Sequence, residues 1–325
     1  MITVSIGRDE SDSRLDRVVR RSLPLTPLSV VYKLIRTGVV RLNGSKAHAS
    51  SRLREHDLIE IMVDKEESPE TAGDRREALC RLFHTGFFRK NFHLLFEDDY
   101  LLACLKPAGL VVHAGTGHGG NDSLIALAES YLLNSAPGED DTPYLMHRLD
   151  KDTSGVVVIA KQRRTVRLLG EQLRRRNLTK WYCAFCHGAV QPKRGRILLP
   201  VERTSGRRSG MKMIVSGTGK EAESFYTVRR VYDDVTEVRI QLLTGRTHQI
   251  RVHFASIGFP LVGDARYGDR EKDRVLFKRF RLKPRLFLHA STLSLHHPFH
   301  HTPLTIRAPE PTVFRALRCG EHSGG

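Results

Sequence analysis

The sequence predicts an α+β protein made of a small basic N-terminal module and a larger domain built on a β-sheet. Three observations predict this class. The first sixty residues show apolar residues at helical spacing, followed by short strand patterns. A polar and charged stretch comes next. Strand patterns dominate from Phe92 onward. A chain of 325 residues is long enough for one large and one small domain.

The N-terminal module, residues 1–63, combines two short helices with strands. Apolar residues recur at helical spacing over 15–23 and again over 30–35. A strand pattern over 39–42 precedes Asn43-Gly44, a dipeptide typical of tight turns. A last strand pattern begins at Leu58 and closes the module.

This module resembles the S4 RNA-binding domain over three stretches, 13–19, 28–44 and 57–61. In that family the helix-turn-helix and the loop after it bind structured RNA, so the resemblance implies an RNA contact for its basic side. The residues expected to make this contact are Arg14, Lys33 and Arg36. The alternative is a basic helical pair that only packs against the larger domain.

A linker is predicted over residues 64–91, because this stretch is polar and charged and contains Pro69 and Gly73. One short helix is expected within it, near 75–83. The larger domain is then predicted to occupy residues 92–318.

The charge of the chain favours a polyanionic partner. Lys and Arg number 53 against 36 Asp and Glu, and the formal net charge is +17. Phosphate backbones are the commonest polyanions that such a field attracts. A membrane surface is the rival partner, but we find neither a basic amphipathic helix with bulky apolar residues nor a lipidation signal. The N-terminus has no apolar signal-peptide region, so we expect a cytoplasmic protein.

Two patterns could indicate a metal site. Cys183 and Cys186 have the C-x-x-C spacing of zinc and redox sites, but no second pair completes a zinc site. The stretch around them is typical of a strand, which would direct the two thiols to opposite faces. Four histidines between 296 and 301 lack a nearby carboxylate or cysteine, and Pro298 interrupts them. We therefore expect no metal.

One glycine pattern could indicate a nucleotide site. Gly115, Gly117 and Gly120 satisfy G-x-G-x-x-G, but the surrounding sequence does not build a sustained βαβ pattern. A loop over a cleft is the preferred interpretation, and no cofactor is expected.

The segment from His147 to Gly155, HRLDKDTSG, places ionisable and hydroxyl residues directly before an apolar strand. It closely resembles the HRLD-x-x-TSG motif of the RluA-type pseudouridine synthases. Other segments agree with this family in the same order: Lys106–His113, Lys180–Tyr182, Thr244–His253, Gly263–Asp264 and Leu288–Ala290. The resemblance implies a catalytic domain with a mixed, mostly antiparallel sheet and a central cleft.

The segments 266–274 and 285–290 most resemble subtype C of this family, which acts on large-subunit ribosomal RNA. We therefore expect RNA, in particular large-subunit ribosomal RNA, as the partner, and no obligate protein partner. Two alternatives remain open, a synthase that acts on transfer RNA and a non-catalytic RNA-binding or ribosome-assembly protein.

The chemistry implied by the resemblance needs a nucleophile and a counter-charge. Uridine becomes pseudouridine when the N1–C1′ bond breaks, the uracil turns, and C5 bonds to C1′. A carboxylate suits this reaction because its ordinary pKa of about 4 keeps it ionised at neutral pH. The resemblance assigns the nucleophile to Asp150 and its partner guanidinium to Arg246. Tyr182 is expected to stack on the uracil, and a part in the proton transfers is the alternative role for it. The route of glycosidic cleavage stays open.

Catalysis inside a folded RNA also needs the nucleotide to be turned out of its stack. The resemblance implies that Arg148 holds this flipped state and that Leu288 lines the pocket. A weaker alternative is a nucleoside or glycoside hydrolase that uses Asp150 with Asp152, since residues two apart on an extended chain share a face.

Overall fold

The computed structural model describes eight stretches of the chain: residues 2–7, 10–23, 28–62, 69–113, 122–135, 142–175, 177–204 and 212–319. The side chains of residues 28–30, 33, 69–74 and 319 are not described. The predicted glycine loop at Gly115, Gly117 and Gly120 and the side chain of Lys33 therefore lie outside the described residues. Every helix that the structure describes is too short or too polar to span a bilayer.

The chain forms two compact units, Met1–Ala78 and Leu79–Gly325. The elements of the N-terminal unit are β1 (Ile2–Ser5), α1 (Leu15–Ser22), α2 (Leu28–Thr37), β2 (Val40–Leu42), β3 (Ser45–Lys46) and β4 (Leu58–Ile61). The strands form one sheet in the order β1-β4-β2-β3.

The N-terminal unit has its own core. Leu15 and Val19 of α1 pack with Ile35 of α2 and Ile61 of β4, and all four side chains are at most 1% exposed. Both helices follow the apolar spacing read from the sequence. Asn43-Gly44 joins β2 to β3 with φ values of 51° and 74°, the positive values that a two-residue hairpin turn requires.

The structure differs from the predicted linker over residues 79–91. This part of the chain contains the end of helix α3 (Pro69–Phe83) and all of helix α4 (Gly86–Asn91). Leu79 and Phe88 are buried in the core of the second unit. The polar composition of residues 64–91 as a whole concealed these two apolar side chains, which helices α3 and α4 place in the core.

The second unit is built on a ten-stranded sheet. Its strands are β5 (Leu94–Glu97), β6 (Leu101–Lys106), β7 (Tyr144–Leu145), β8 (Ser154–Ala160), β9 (Thr179–His187), β10 (Arg194–Leu198), β13 (Glu223–Val231), β14 (Val235–Leu242), β15 (Leu288–His296) and β16 (Pro303–Arg307). A separate ribbon pairs β11 (Val201–Arg203) with β12 (Met213–Val215). The helices are α5 (Leu124–Ser135), α6 (Arg163–Arg174), α7 (Gln249–Ser256), α8 (Arg270–Arg279) and α9 (Val313–Cys319).

The strand order is β10-β13-β14-β9-β15-β8-β6-β5, with β16 added to β15 and β7 to β8. The β15–β8 pair is parallel, and the other pairs in this sheet are antiparallel. The predicted mixed, mostly antiparallel sheet is confirmed. The predicted strand through Cys183 is also confirmed.

The parallel β15–β8 pair is so close that only glycine fits at position 155. Gly155 faces Ala290 across the pair, and a Cβ on Gly155 would lie 2.3 Å from the Ala290 carbonyl oxygen. Its φ of 130° is also one that other residues rarely adopt. The glycine that ends the HRLDKDTSG segment therefore sets the distance between the two strands.

We expect Gly155→Ala to destabilise the protein by about 3 kcal/mol or more, because the clash involves backbone atoms that cannot turn aside. Thermal or urea unfolding measures this. The matched control is Gly170→Ala in α6, where a Cβ meets only the Arg174 side chain at 3.7 Å. That change should leave stability equal or raise it by up to about 1 kcal/mol. Equal stability of the two variants would contradict the close approach of β8 and β15.

Candidate active site

A cleft of about 710 Å³ opens on the second unit. The loop between β7 and β8, the strands β9 and β14 and the start of α7 contribute to its walls. It brings together the five site residues that the sequence predicted in this domain. They are Arg148, Asp150, Tyr182, Arg246 and Leu288.

The loop that carries Asp150 is held from behind by a buried lysine. The Lys106 ammonium donates hydrogen bonds to the backbone oxygens of Lys151 at 2.8 Å, Leu110 at 2.6 Å and Pro107 at 2.9 Å. Burial lowers the pKa of Lys106 to about 7, against the opposing effect of the nearby Asp152 and Asp150 charges. Because the lysine joins the loop to the end of β6, it limits where Asp150 can point.

His147 braces the same loop. Its Nε2 accepts a hydrogen bond from the Val158 N–H at 3.1 Å, which fixes the ring against β8. Burial, and to a smaller extent the charge of Lys180, lowers the pKa of His147 well below its usual value. A neutral ring with an accepting Nε2 fits a structural role for this histidine.

Arg251, and not the predicted Arg246, is the guanidinium beside Asp150. The Nη1 of Arg251 lies 3.5 Å from Oδ2 of Asp150, whose side chain is 19% exposed. Arg246 is exposed, and its Nε donates to the Glu221 backbone oxygen at 3.0 Å. Arg246 precedes α7 in an irregular segment, whereas Arg251 lies inside the helix and points into the protein.

A second carboxylate holds Arg251 in place. Asp264 accepts two parallel hydrogen bonds from Arg251 Nε and Nη2, both at 2.7 Å. Burial alone would raise the pKa of Asp264, but the Arg251 hydrogen bonds and charge hold it below its usual value. Burial likewise opposes the Arg251 charge, and the carboxylates of Asp264 and Asp150 raise its pKa. The third guanidinium nitrogen is thereby directed at Asp150.

His248 forms the next contact around Asp150. Its Nε2 lies 3.9 Å from Oδ2 of Asp150, and its Nδ1 is 2.8 Å from the Tyr267 hydroxyl. Burial lowers the pKa of His248, partly offset by the Asp150 charge. A φ of 55° places this non-glycine residue in the left-handed region, where backbone strain is common at functional sites.

Tyr182 lies on β9 and lines the cleft with 6% of its surface exposed. Burial, and then the Asp150 charge, raises the pKa of its hydroxyl well above the usual value. The phenol is therefore protonated at neutral pH and cannot act as a base in its resting state. This supports the predicted stacking role over proton abstraction.

We expect Tyr182→Leu to lower kcat/KM by about tenfold to a hundredfold, the effect of removing a base-stacking aromatic ring. Tyr182→Phe keeps the ring and should lose markedly less. The measurement is the rate of the uridine isomerisation that the sequence resemblance implies. If the Phe variant lost as much as the Leu variant, the hydroxyl rather than the ring would be the active group.

The other two predicted residues that line the cleft, Arg148 and Leu288, differ in how exposed they are. Arg148 is exposed, while Leu288 is 3% exposed and belongs to the domain core. Asp152 is exposed and is not among the residues that line the cleft. The hydrolase alternative, which needed Asp150 and Asp152 together, is therefore not supported by the geometry.

Of the residues predicted to contact RNA in the N-terminal unit, Arg14 is in an ion pair within the unit and Arg36 is exposed. The Arg14 guanidinium binds the Asp16 carboxylate with contacts of 3.1 and 2.8 Å. Asp16 also accepts a hydrogen bond from the Tyr32 hydroxyl at 3.0 Å. Arg36 is exposed on the last turn of α2.

One group of potential metal ligands occurs among the described residues, consisting of Cys183, Glu237 and Glu310. The Arg318 guanidinium already binds both carboxylates, with contacts of 2.6 to 2.9 Å. Burial, then the nearby carboxylates, raises the pKa of the Cys183 thiol above its usual value. The group is an ion-paired network centred on Arg318, and Cys186 lies on the opposite face of β9 and takes no part in it.

Sequence reasoning missed Arg251, Asp264 and His248 as site residues. A signal for Arg251 was present, because this arginine sits among Ile250, Val252 and Phe254 in an apolar helix. A buried arginine needs a carboxylate partner, and Asp264 follows shortly after the helix.

Comparison with known proteins agrees with this geometry. Residues 100–256 match the family described as RNA pseudouridylate synthase. The chain is 36% identical over 314 residues to ribosomal large subunit pseudouridine synthase C of Escherichia coli K12, covering 94% of this chain and 92% of that protein. It is 32% identical to the protein of the same name from Buchnera aphidicola subsp. Baizongia pistaciae, covering 97% and 95% of the two chains.

Two solved structures are similar in fold. Human RNA pseudouridylate synthase domain containing 1 has a TM-score of 0.56 and 25% identity, covering 70% of this chain and 87% of that chain. Human RNA pseudouridylate synthase domain containing 4 has a TM-score of 0.58 and 24% identity, covering 76% and 98%.

Proposed function

Because the chain belongs to the RNA pseudouridylate synthase family, we propose that it converts specific uridines of large-subunit ribosomal RNA to pseudouridine, with Asp150 as the nucleophile. The observation that carries this proposal is the position of Asp150. Its carboxylate is partly exposed in the cleft and lies 3.5 Å from a guanidinium that a second carboxylate orients.

The reaction suits these residues. Asp150 supplies a negative charge toward the C1′ side of the nucleotide, and Arg251 supplies the positive charge that pairs with it in a partly closed site. Tyr182 offers an apolar ring for the uracil face. Arg148, at the cleft surface, stabilises the flipped state of the nucleotide. Uracil is both leaving group and returning nucleophile, so the isomerisation has no net redox change.

Ribosomal RNA is the proposed substrate on two grounds. Relatives that match nearly the whole chain carry the name ribosomal large subunit pseudouridine synthase C. The net charge of +17 also favours a large polyanion. We further propose that the N-terminal unit is an S4-type RNA-binding domain, that Lys33 and Arg36 on its second helix contact RNA with Arg14, and that the protein acts in the cytoplasm.

The test is pseudouridine mapping at single-nucleotide resolution in cells that lack this protein. We expect specific sites in large-subunit ribosomal RNA to lose pseudouridine and to regain it when the wild-type chain is restored. Cells that receive the Asp150→Asn variant serve as the matched control and should not recover. Loss confined to transfer RNA would contradict the ribosomal substrate but not the isomerase chemistry.

A further inference from the structure

The sheet carries a set of basic and aromatic side chains on the face opposite to the cleft. Side chains alternate between the two faces along a strand. Tyr182 lines the cleft, so Trp181 beside it projects to the opposite face. Arg239 projects to the same face, since its neighbours Val238 and Ile240 are fully buried and its guanidinium carbon lies 3.9 Å from the centre of the Trp181 ring.

Strand register extends this set across six strands. Residues directly paired across neighbouring strands share a face. Thr227 pairs with both Arg239 and Arg194, while Thr292 pairs with both Trp181 and Arg307. Phe225 lies two residues before Thr227 and projects to the same side. We call the following six residues the outer platform: Arg194, Phe225, Arg239, Trp181, Thr292 and Arg307.

The outer platform is open at its end of the sheet. The other end of this face is covered by a cluster in which Phe185 and Phe287 pack with residues of α8 and α9. Trp181 and Phe225 are only half-buried, and Arg194 and Arg307 are exposed. With strands about 4.8 Å apart, the platform is roughly 24 Å wide.

The charge of the outer platform is not neutralised within the part of the chain that the structure describes. Arg194, Arg239 and Arg307 have no carboxylate within ion-pair distance among those residues, unlike nearby Arg196, which is paired with Glu223. Burial, and then the charge of Arg229, lowers the pKa of Arg239. The three guanidinium groups spread across the platform are therefore not paired with an anion in the described part of the chain.

An aromatic ring stacked with an arginine, on a sheet edged by further arginines, has the chemistry that binds unpaired bases and phosphates. Bases stack on aromatic and guanidinium planes, and guanidinium groups bind the backbone. Bases in a duplex are already stacked on each other and are not available in this way. A single strand therefore fits this surface better than a helix does.

We propose that the outer platform binds a single-stranded segment of the substrate RNA that lies outside the cleft. The proposal rests on RNA being the substrate and does not depend on that RNA being ribosomal. Binding the same molecule at two places raises the effective concentration of the target uridine at the cleft. The expected kinetic effect of the platform is therefore on KM and not on kcat.

Trp181 provides the probe, because it is the one tryptophan in the 325-residue sequence. We expect oligouridine of about 12 nucleotides to quench the fluorescence of the full-length protein in a saturable way. A duplex of the same length should quench it weakly. Oligouridine that binds the protein without changing Trp181 emission would overturn the proposal.

A charge variant separates the platform from the cleft. Arg194→Ala with Arg307→Ala removes two edge charges and leaves the Trp181–Arg239 stack intact as the probe. We expect a rise in the dissociation constant of about threefold to tenfold and a fall of about 1.4 in the salt dependence of binding, at about 0.7 per lost phosphate contact. The matched control, Lys278→Ala with Arg315→Ala, removes two charges from exposed positions of α8 and α9. It should change the dissociation constant and the salt dependence of binding much less than the platform variant does.

Kinetics on two substrates completes the test. On long RNA the Arg194→Ala/Arg307→Ala variant should show a raised KM and an unchanged kcat. On a short hairpin that fills only the cleft, both parameters should match the wild type. Equal effects of the platform and control variants would show that the surface does not bind RNA and would favour a protein partner. Failure of the ribosomal assignment would instead appear in pseudouridine mapping and would leave the fluorescence result unaffected.

Discussion

Replacing Asp150 by Asn is expected to abolish pseudouridine formation, with a loss in kcat of at least about a thousandfold. The amide has the same shape as the carboxylate but cannot act as an anionic nucleophile. Stability should change little, because the Asp150 side chain is partly exposed and Arg251 keeps its two bonds to Asp264. Release of the hydrogen on uracil C5 from substrate RNA measures the reaction, and thermal unfolding measures stability.

Asp152→Asn is the matched control for this prediction. It removes the same charge from the same loop, but Asp152 is exposed and does not line the cleft. We expect activity within about threefold of the wild type, the size of effect that a surface charge exerts. Substantial activity in the Asp150→Asn enzyme would rule out the assigned nucleophile, and a matching loss in Asp152→Asn would indicate that charge in the loop, not its position, is required.

Arg251→Lys is expected to produce the second largest effect, a loss in kcat/KM of about a hundredfold. Lysine keeps the positive charge, but its single ammonium cannot bind Asp264 through two parallel bonds and also face Asp150. The ion pair with Asp264 is buried, so we also expect a loss of about 1 to 3 kcal/mol in the free energy of unfolding. Activity must therefore be measured at a temperature where the variant is fully folded.

The Arg246→Lys variant makes the comparison specific, since it is the same chemical change in the same sequence motif. Arg246 is exposed and its Nε bonds to a backbone oxygen, so we expect a loss below about tenfold and no measurable change in stability. The two variants together test which arginine is the partner of the proposed nucleophile Asp150. A larger loss from Arg246→Lys than from Arg251→Lys would return that role to the residue predicted from sequence.

Local patterns predicted much of the fold because they report which side chains need burial. The apolar spacing of α1 and α2, the turn at Asn43-Gly44 and the strand through Cys183 all appear where the sequence indicated them. The stretch 79–91 was misread because it was grouped with the charged residues 64–78 before it, although Leu79 and Phe88 are buried. Composition averages over a helix, whereas burial depends on one face of it.

The sequence by itself determined the chemistry of this protein. The ordered motifs around Asp150, Tyr182 and Leu288 identified the family, and the excess of arginine and lysine indicated RNA. Residue identity sets what a side chain can do, and that information is local. The position of Asp150, the proposed nucleophile, in its loop also followed from the buried strand directly after it.

Only the tertiary structure decided which charges meet. Two arginines five positions apart in one motif were equally available by charge, and the helical turn of α7 directed Arg251 toward Asp264 and Asp150 while Arg246 stayed in solvent. The outer platform likewise joins residues from six strands that are distant in the chain. Contacts of this kind depend on strand register and helix orientation, which arise from packing the whole domain and are not encoded in any short segment.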